Sequence, residues 1–494
     1  MKKNQVLGSL FLLSVLASCA SNSRNPSSES SEDLSVIIDD IKSASELKNI
    51  NSSSCKSSYD QLYQRLFNLA GETTYLDLND IKSMDEDIQK SFTARLALKD
   101  SFKSFNVDSD CLKSASDVFR GLRYVEDYLI ELRMERSQSA PEDYVNLKGE
   151  FPYLLVNPKY ANNFKSYEDS KSGDIILSRG NAFSSAAIAR IGVNDYQFSH
   201  LSFVYQENPG SELMTTEAHI EIGSVVEPLL DHVSSKNSRE VVFRYNGDEG
   251  VSHKASKFMF EKVKAVQVTG KHIPYDFSMD YKDQSKLFCS EIISRGFKHV
   301  LPSEDYFPKF KSKFTPGIIP FLNSIGVPVN KENINTLDVF SPGDIQFDPR
   351  FDLVAEWRNP RKMEESRMKD FILTKLFERM DNLGYQIDPS IKMNAGARAL
   401  WLLRRTPVVK KFLKNKVSLE MNTDIFELFM ALDKIGESIY KEVEKSSLEY
   451  ERPMTPKEIL SVIDDFFNRD LELYKRYKKG LDVMKPAFHL LFHP

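Results

Sequence analysis

The sequence predicts an α+β fold: a mostly antiparallel sheet packed on helices, flanked by N- and C-terminal all-helical regions. Three observations carry this expectation. Short apolar runs bounded by Gly, Pro and Asn crowd between about residues 170 and 246, as strands joined by tight turns do. Helical spacing of apolar residues dominates before Gly149 and after Arg361. Strands that follow one another within a few residues, with helices grouped after them, favour an antiparallel sheet over alternating βαβ units.

The chain of 494 residues is long enough for roughly three domains at about 150 residues each. Its 41% hydrophobic and 28% charged residues exclude a mainly disordered, collagen-like or disulfide-dense class. With 66 basic against 71 acidic side chains and a formal charge of −5, it carries no global bias towards polyanions, and no nucleic-acid partner is expected. A mean hydropathy of −0.39 argues against a multi-span membrane protein.

Taken in order, residues 1–18 read as a signal peptide. Met1-Lys2-Lys3 precedes the apolar run from Val6 to Leu16, which as a helix rises about 16 Å, too short for a bilayer of roughly 30 Å and of signal-core length. Leu16-Ala17-Ser18-Cys19 resembles the bacterial lipoprotein box. That resemblance implies cleavage before Cys19, its acylation with chains such as palmitate, and a membrane attachment through the N-terminal lipid. Ala20 in place of Asp implies, in a Gram-negative cell, the outer membrane, facing the periplasm or the surface. Residues 19–33 are rich in Ser and poor in apolar side chains, so they read as a disordered tether.

Residues 34–150 are expected to be helical, with Val36, Ile37, Ile38 and Ile41, and later Phe119, Leu122, Val125 and Leu129, at helical spacing. Cys55 and Cys111 are a candidate disulfide, since an exported protein meets an oxidising compartment. Residues 151–350 hold the strand signals: Asp174 to Leu177, His200 to Tyr205, Leu213 to Ile222 and Glu240 to Tyr245. Helices are predicted from Ser252 to Val266 and from Leu287 to Phe297. Asn181 to Asp195 and the Pro- and aromatic-rich stretch from Pro302 to Asn359 read as irregular. Residues 351–494 form the C-terminal helical region. Within it, Pro389 to Leu419 contains no acid but carries Lys392, Arg398, Arg404, Arg405, Lys410, Lys411, Lys414 and Lys416 around Trp401. Such a stretch is either a membrane- or glycan-facing helix or a bundle helix with a solvated basic face, and the second is the simpler reading.

No Walker loop, GxGxxG, HExxH, paired CxxC or GxSxG is present, so no cofactor and no metal are expected. The informative segment is Lys286 to Ile293, which sets Cys289 in the first turn of a predicted helix. Unpaired amides and the positive end of the dipole favour a thiolate there. His200 opens a strand and supplies an imidazole. Glu217, His219 and Glu221 are two apart along the next strand and point to one face. A Cys, a His and an acceptor that orients the ring suffice for acyl transfer through a thioester.

The segment from Gly173 to Arg295 resembles the circularly permuted branch of the NlpC-type papain-like cysteine hydrolases, the YiiX-like group. The matching pieces are Gly173-Asp174, Ser199-His200, Glu217-Ala218, Tyr275-Asp276-Phe277 and Cys289-Ser290-Glu291, with Ser341 to Ile345 resembling the segment that follows the domain. The resemblance implies a permuted papain-like domain in which Cys289 is the nucleophile, His200 the base and Glu217 the orienting acceptor. Glu221 and His219 stay open as alternative third members, and Tyr275 is expected to line the cleft. It implies a hydrolase, a cysteine peptidase or amidase, whose substrate is a peptide or peptidoglycan fragment. An acyltransferase or thioesterase acting on an acyl-lipid, and a non-catalytic envelope scaffold, remain open.

Overall fold

The computed structural model describes residues 33–46, 52–69, 80–105, 109–137, 147–234, 237–303, 313–335, 340–389, 391–403, 406, 421–481 and 484–494. The signal peptide, Cys19 and most of the tether lie outside the described residues, as does most of the basic stretch beyond Leu403. Leu34–Pro494 form one compact unit.

Four helices come first: α1 (Leu34–Glu46), α2 (Ser52–Leu69), α3 (Ile81–Ser101) and α4 (Asp110–Ser137). Cys55 of α2 and Cys111 of α4 are disulfide-bonded, their Cα atoms 5.5 Å apart. Phe102 and Phe119 meet Phe347 edge-on, so these helices share one apolar core with the sheet instead of closing a core of their own.

The sheet has seven strands: β1 (Leu154–Val156), β2 (Ile175–Arg179), β3 (His200–Tyr205), β4 (Met214–His219), β5 (Gly223–Pro228), β6 (Arg239–Tyr245) and β7 (Phe351–Arg358). Their spatial order is β1-β7-β6-β2-β3-β4-β5, and every pair is antiparallel. Leu177, Leu201, Phe203 and Phe243 face the main core, while Ile176, Val204, Val242 and Val354 face a second one. Both faces are covered, which is why β2 and β7 are buried along their whole length. A strand covered on both sides need not alternate apolar with polar.

Strand β7 corrects the reading of residues 351–494 as helical, for Phe351–Arg358 lies inside the sheet between β1 and β6. The sequence conceals it because Asp352, Glu356 and Arg358, all buried, interrupt the apolar pattern. Helix α5 (Phe183–Arg190) likewise replaces the loop expected there. Helix α6 (Leu229–Val233) follows β5, and α7 (Glu249–Gln267) and α8 (Cys289–Val300) pack on each other and on β3 and β4. Gly296 allows that approach: a Cβ there would meet the Ala255 carbonyl oxygen at 2.8 Å and the Phe203 ring at 2.9 Å.

After α9 (Ile319–Ser324) the C-terminal helices α10 (Pro360–Leu383), α11 (Ile391–Leu403), α12 (Thr423–Ser447) and α13 (Pro456–Lys478) follow. Most of them enclose a separate core around Ile372, Leu376, Leu432, Ile439 and Phe467. In α11, Trp401 donates to the Met421 carbonyl at 2.9 Å and Arg398 pairs with Glu427 at 3.1 Å. The described part of the basic stretch is thus packed as a bundle helix. Among the described residues no helix is long and apolar enough to cross a membrane.

Candidate active site

The nucleophile's position is set by its own helix. Cys289 is the first residue of α8, and Glu291 accepts from the Phe288 N–H at 3.0 Å, closing the first turn. The Leu287 N–H donates to the Pro274 carbonyl at 3.0 Å, and the Asp276 N–H donates to that of Leu287 at 3.1 Å. This pairing brings Tyr275 alongside Leu287. Asp276 is buried and accepts from the Ser278 and Asp280 amides at 3.0 and 2.8 Å, so it shapes the loop and not the chemistry. Asp174, likewise, is taken up by Arg244 at 2.7 and 2.6 Å.

His200 opens β3, and its Nε2 lies 2.8 Å from Glu217 on β4. The ring lines the same cleft as the Cys289 thiol. With Nε2 taken by Glu217, Nδ1 is the ring nitrogen left for other partners. Burial lowers the His200 pKa, but the neighbouring Cys289 and Glu217 outweigh it and raise the pKa above its ordinary value.

Glu217 is fully buried and serves more than one ring. His219 Nε2 lies 3.1 Å from it, His232 Nδ1 lies 3.0 Å away, and the Thr215 hydroxyl donates at 2.6 Å. With His200 that makes four partners, as many as the roughly four lone-pair sites of a carboxylate. Burial pushes the Glu217 carboxyl up, but the His232 charge and the three imidazole bonds outweigh it and hold it well below the usual range. An anionic Glu217 fixes the proton of neutral His200 on Nε2 and leaves Nδ1 with a lone pair that can accept.

These groups face a cavity of about 220 Å³ lined by Cys289, His200, His219, His232, Glu221, Glu227 and Tyr275, with Ser178, Ser184, Ser185, Ser199 and Asn237. The Ser199 hydroxyl is buried without a hydrogen-bond partner. Burial, then the charges of Cys289 and Glu221, push the Tyr275 phenol well above its ordinary pKa, so its hydroxyl remains a donor.

The structure therefore brings Cys289, His200, Glu217, His219 and Tyr275 together. Of the three candidate third members, Glu217 is the one bonded to His200. His219 bonds to Glu217 in turn and stacks on His200, ring centroids 5.0 Å apart. Strand β4 ends at His219, so Glu221 sits in the turn before β5, not on the strand as its spacing suggested, though it still lines the cleft. Sequence reasoning missed His232 and Thr215. Thr215 shares the i, i+2 spacing with Glu217 and could have been found; His232 comes from a short helix beyond the next strand and left no signal.

A thiol, an imidazole and a carboxylate in this order on an α+β scaffold define a cysteine hydrolase. Residues 169–314 match the family described as permuted papain-like amidase enzyme, YaeF/YiiX, C92 family. The matched segment contains Cys289, His200 and Glu217 and is similar to those amidases. No curated protein matches the chain, and no solved structure does.

Proposed function

We propose that the protein is a lipid-anchored cysteine hydrolase of the cell envelope that cleaves an amide in a short peptide, a peptidoglycan stem peptide fitting such a location. The observation that carries this reading is the His200 imidazole, bonded to Glu217 at 2.8 Å and lining one cleft with Cys289. Nδ1 takes the thiol proton, Sγ adds to the amide carbonyl carbon, and the Cys289 N–H at the helix start stabilises the oxyanion. His200 returns its proton to the leaving amine, and the thioester is then hydrolysed by water. A cleft walled by hydroxyls, an amide and the Glu221 and Glu227 carboxylates suits a peptide better than an acyl chain.

The test is to offer muropeptides and acyl-lipids to the mature protein, with Cys289→Ala as the blank. Amine release from muropeptides by the wild-type protein alone is the expected result. Release of fatty acid in its place would move the substrate class to acyl-lipids, and identical traces for both proteins would leave a binding scaffold.

The lipoprotein box supports the anchor. In cell fractionation the wild-type protein is expected with the membranes and Cys19→Ala in the soluble fraction. Equal partition of the two would rule the anchor out.

A further inference from the structure

Three imidazoles, those of His200, His219 and His232, address one carboxylate oxygen in this site, more than an acyl-transfer triad requires. His200 Nε2 and His219 Nε2 lie 2.8 and 3.1 Å from Glu217 Oε2, and all three atoms fall within 4.8 Å of one another. The side chain of His219 is 30% exposed and that of His200 18%; both rings line the cleft, so an ion can reach them from solvent.

The donor set is the two-histidine, one-carboxylate set that zinc takes with a fourth position open. Donor atoms about 2.0–2.2 Å from such an ion are themselves roughly 3.3–3.6 Å apart in a tetrahedron. The separations between Glu217 and the two rings, 2.8 and 3.1 Å, need to open by only a few tenths of an ångström to reach this. A second trio, Glu217, Glu227 and His232, shares the carboxylate, but the His232 side chain is only 4% exposed, so the first trio is the more open to solvent.

We propose that His200, Glu217 and His219 form an inhibitory site for a divalent cation of zinc's chemistry. The proposal deepens the hydrolase reading and rests on it for its consequence, though not for the binding itself. The metal forms one bond to each Nε2 and one to Oε2. A neutral imidazole carries one ring proton, so metal on Nε2 of His200 moves that proton to Nδ1. The lone pair that would accept the Cys289 proton is then gone, and the thiol stays protonated. Metal occupancy and nucleophile activation thus exclude each other on one ring, and removal of the ion restores the base without covalent change.

The experiment must separate this site from a simpler one in which zinc sits on the Cys289 thiolate. Calorimetric titration of the Cys289→Ala protein with Zn²⁺ is expected to show one ion bound per chain. In that background His219→Gln is expected to weaken binding at least about tenfold, since even partners one shell further out cost about 10–100-fold in affinity. Co²⁺ in place of Zn²⁺ should give a visible d–d spectrum free of a thiolate charge-transfer band. In protein with Cys289 intact, Zn²⁺ should slow alkylation of the thiol, and a chelator should reverse the effect. Loss of binding in Cys289→Ala, or equal affinity with and without His219→Gln in folded protein, would overturn the proposal. Neither outcome depends on turnover, so failure of the metal site is distinguishable from failure of the hydrolase reading.

Discussion

Glu217→Gln is expected to lower kcat by about 10²–10⁴, the usual contribution of a positioned base, with KM changed only a few-fold. The carboxylate accepts from three imidazoles and the Thr215 hydroxyl. A Gln offers one carbonyl oxygen and an NH₂ that can only donate, so at least one of these partners then faces another donor. The way out for His200 is to move its proton to Nδ1, the nitrogen that must accept from Cys289. The tautomer becomes wrong while the cleft keeps its shape, which is why the loss falls on kcat.

Alkylation of Cys289 reports the same change without substrate: Glu217→Gln should bring it down to the rate of an ordinary buried thiol. A kcat within threefold of wild type would show that Glu217 does not set the tautomer. The variant also carries a pH signature. Burial lowers the His232 pKa, but Glu217 outweighs it and raises it from 6.5 to about 9, while Glu217 itself is held well below its ordinary 4.5. A raised imidazole pKa stabilises the fold fully below 6.5 and ceases to as pH rises through 9; a depressed carboxyl pKa stabilises it above 4.5. The stability gap between wild type and variant should therefore be widest between about pH 4.5 and 6.5 and narrow towards pH 9, read from urea midpoints.

What was legible in the sequence was what local pattern encodes. Strands β3 and β6 and helices α7 and α8 are framed by turns and amphipathic spacing. Cys289 and His200 stand out because each opens an element. Periodicity leaves three candidates for a third member, since it gives a face but not a bond; of the three, Glu217 is the one that bonds to His200. His232 was invisible because its role depends on α6 folding back over β4, a tertiary event. Strand β7 was missed for a related reason. Charged residues in Phe351–Arg358 look like surface, and only partners far away in sequence, such as Arg95 for Glu356 and Lys159 for Asp352, explain why they are buried.

Those partners supply the largest expected effect on stability. Glu356 accepts from Arg95 at 2.8 Å and Arg123 at 2.6 Å and pairs with Arg358 at 3.0 Å, while Arg358 also reaches Glu126 and Asp127, each at 2.6 Å, and Arg239 meets Asp127 at 2.6 Å. All of these side chains are fully buried. Burial pushes the Glu356 carboxyl up, but the three guanidinium groups outweigh it and hold it well below its ordinary pKa. The network joins α3 and α4 to β6 and β7, so it sets how the N-terminal helices dock on the sheet that carries the site. Glu356→Gln keeps the shape and removes the charge, leaving four guanidinium groups against two carboxylates out of water. Breaking such a group from one side costs about 3–5 kcal/mol, and the urea midpoint should fall accordingly with an unchanged m-value. A shift below about 0.5 kcal/mol, the ordinary range of a surface substitution, would mean that water reaches the network and that the helices are held by Phe102, Phe119 and the rest of the apolar core alone. Replacing the charged residues together by apolar ones of similar volume should cost far less than Glu356→Gln, because the desolvation of the ions disappears with them. That contrast separates the two roles of the network: a small net contribution to stability, and a large penalty against any docking of the helices that leaves one charge unmatched.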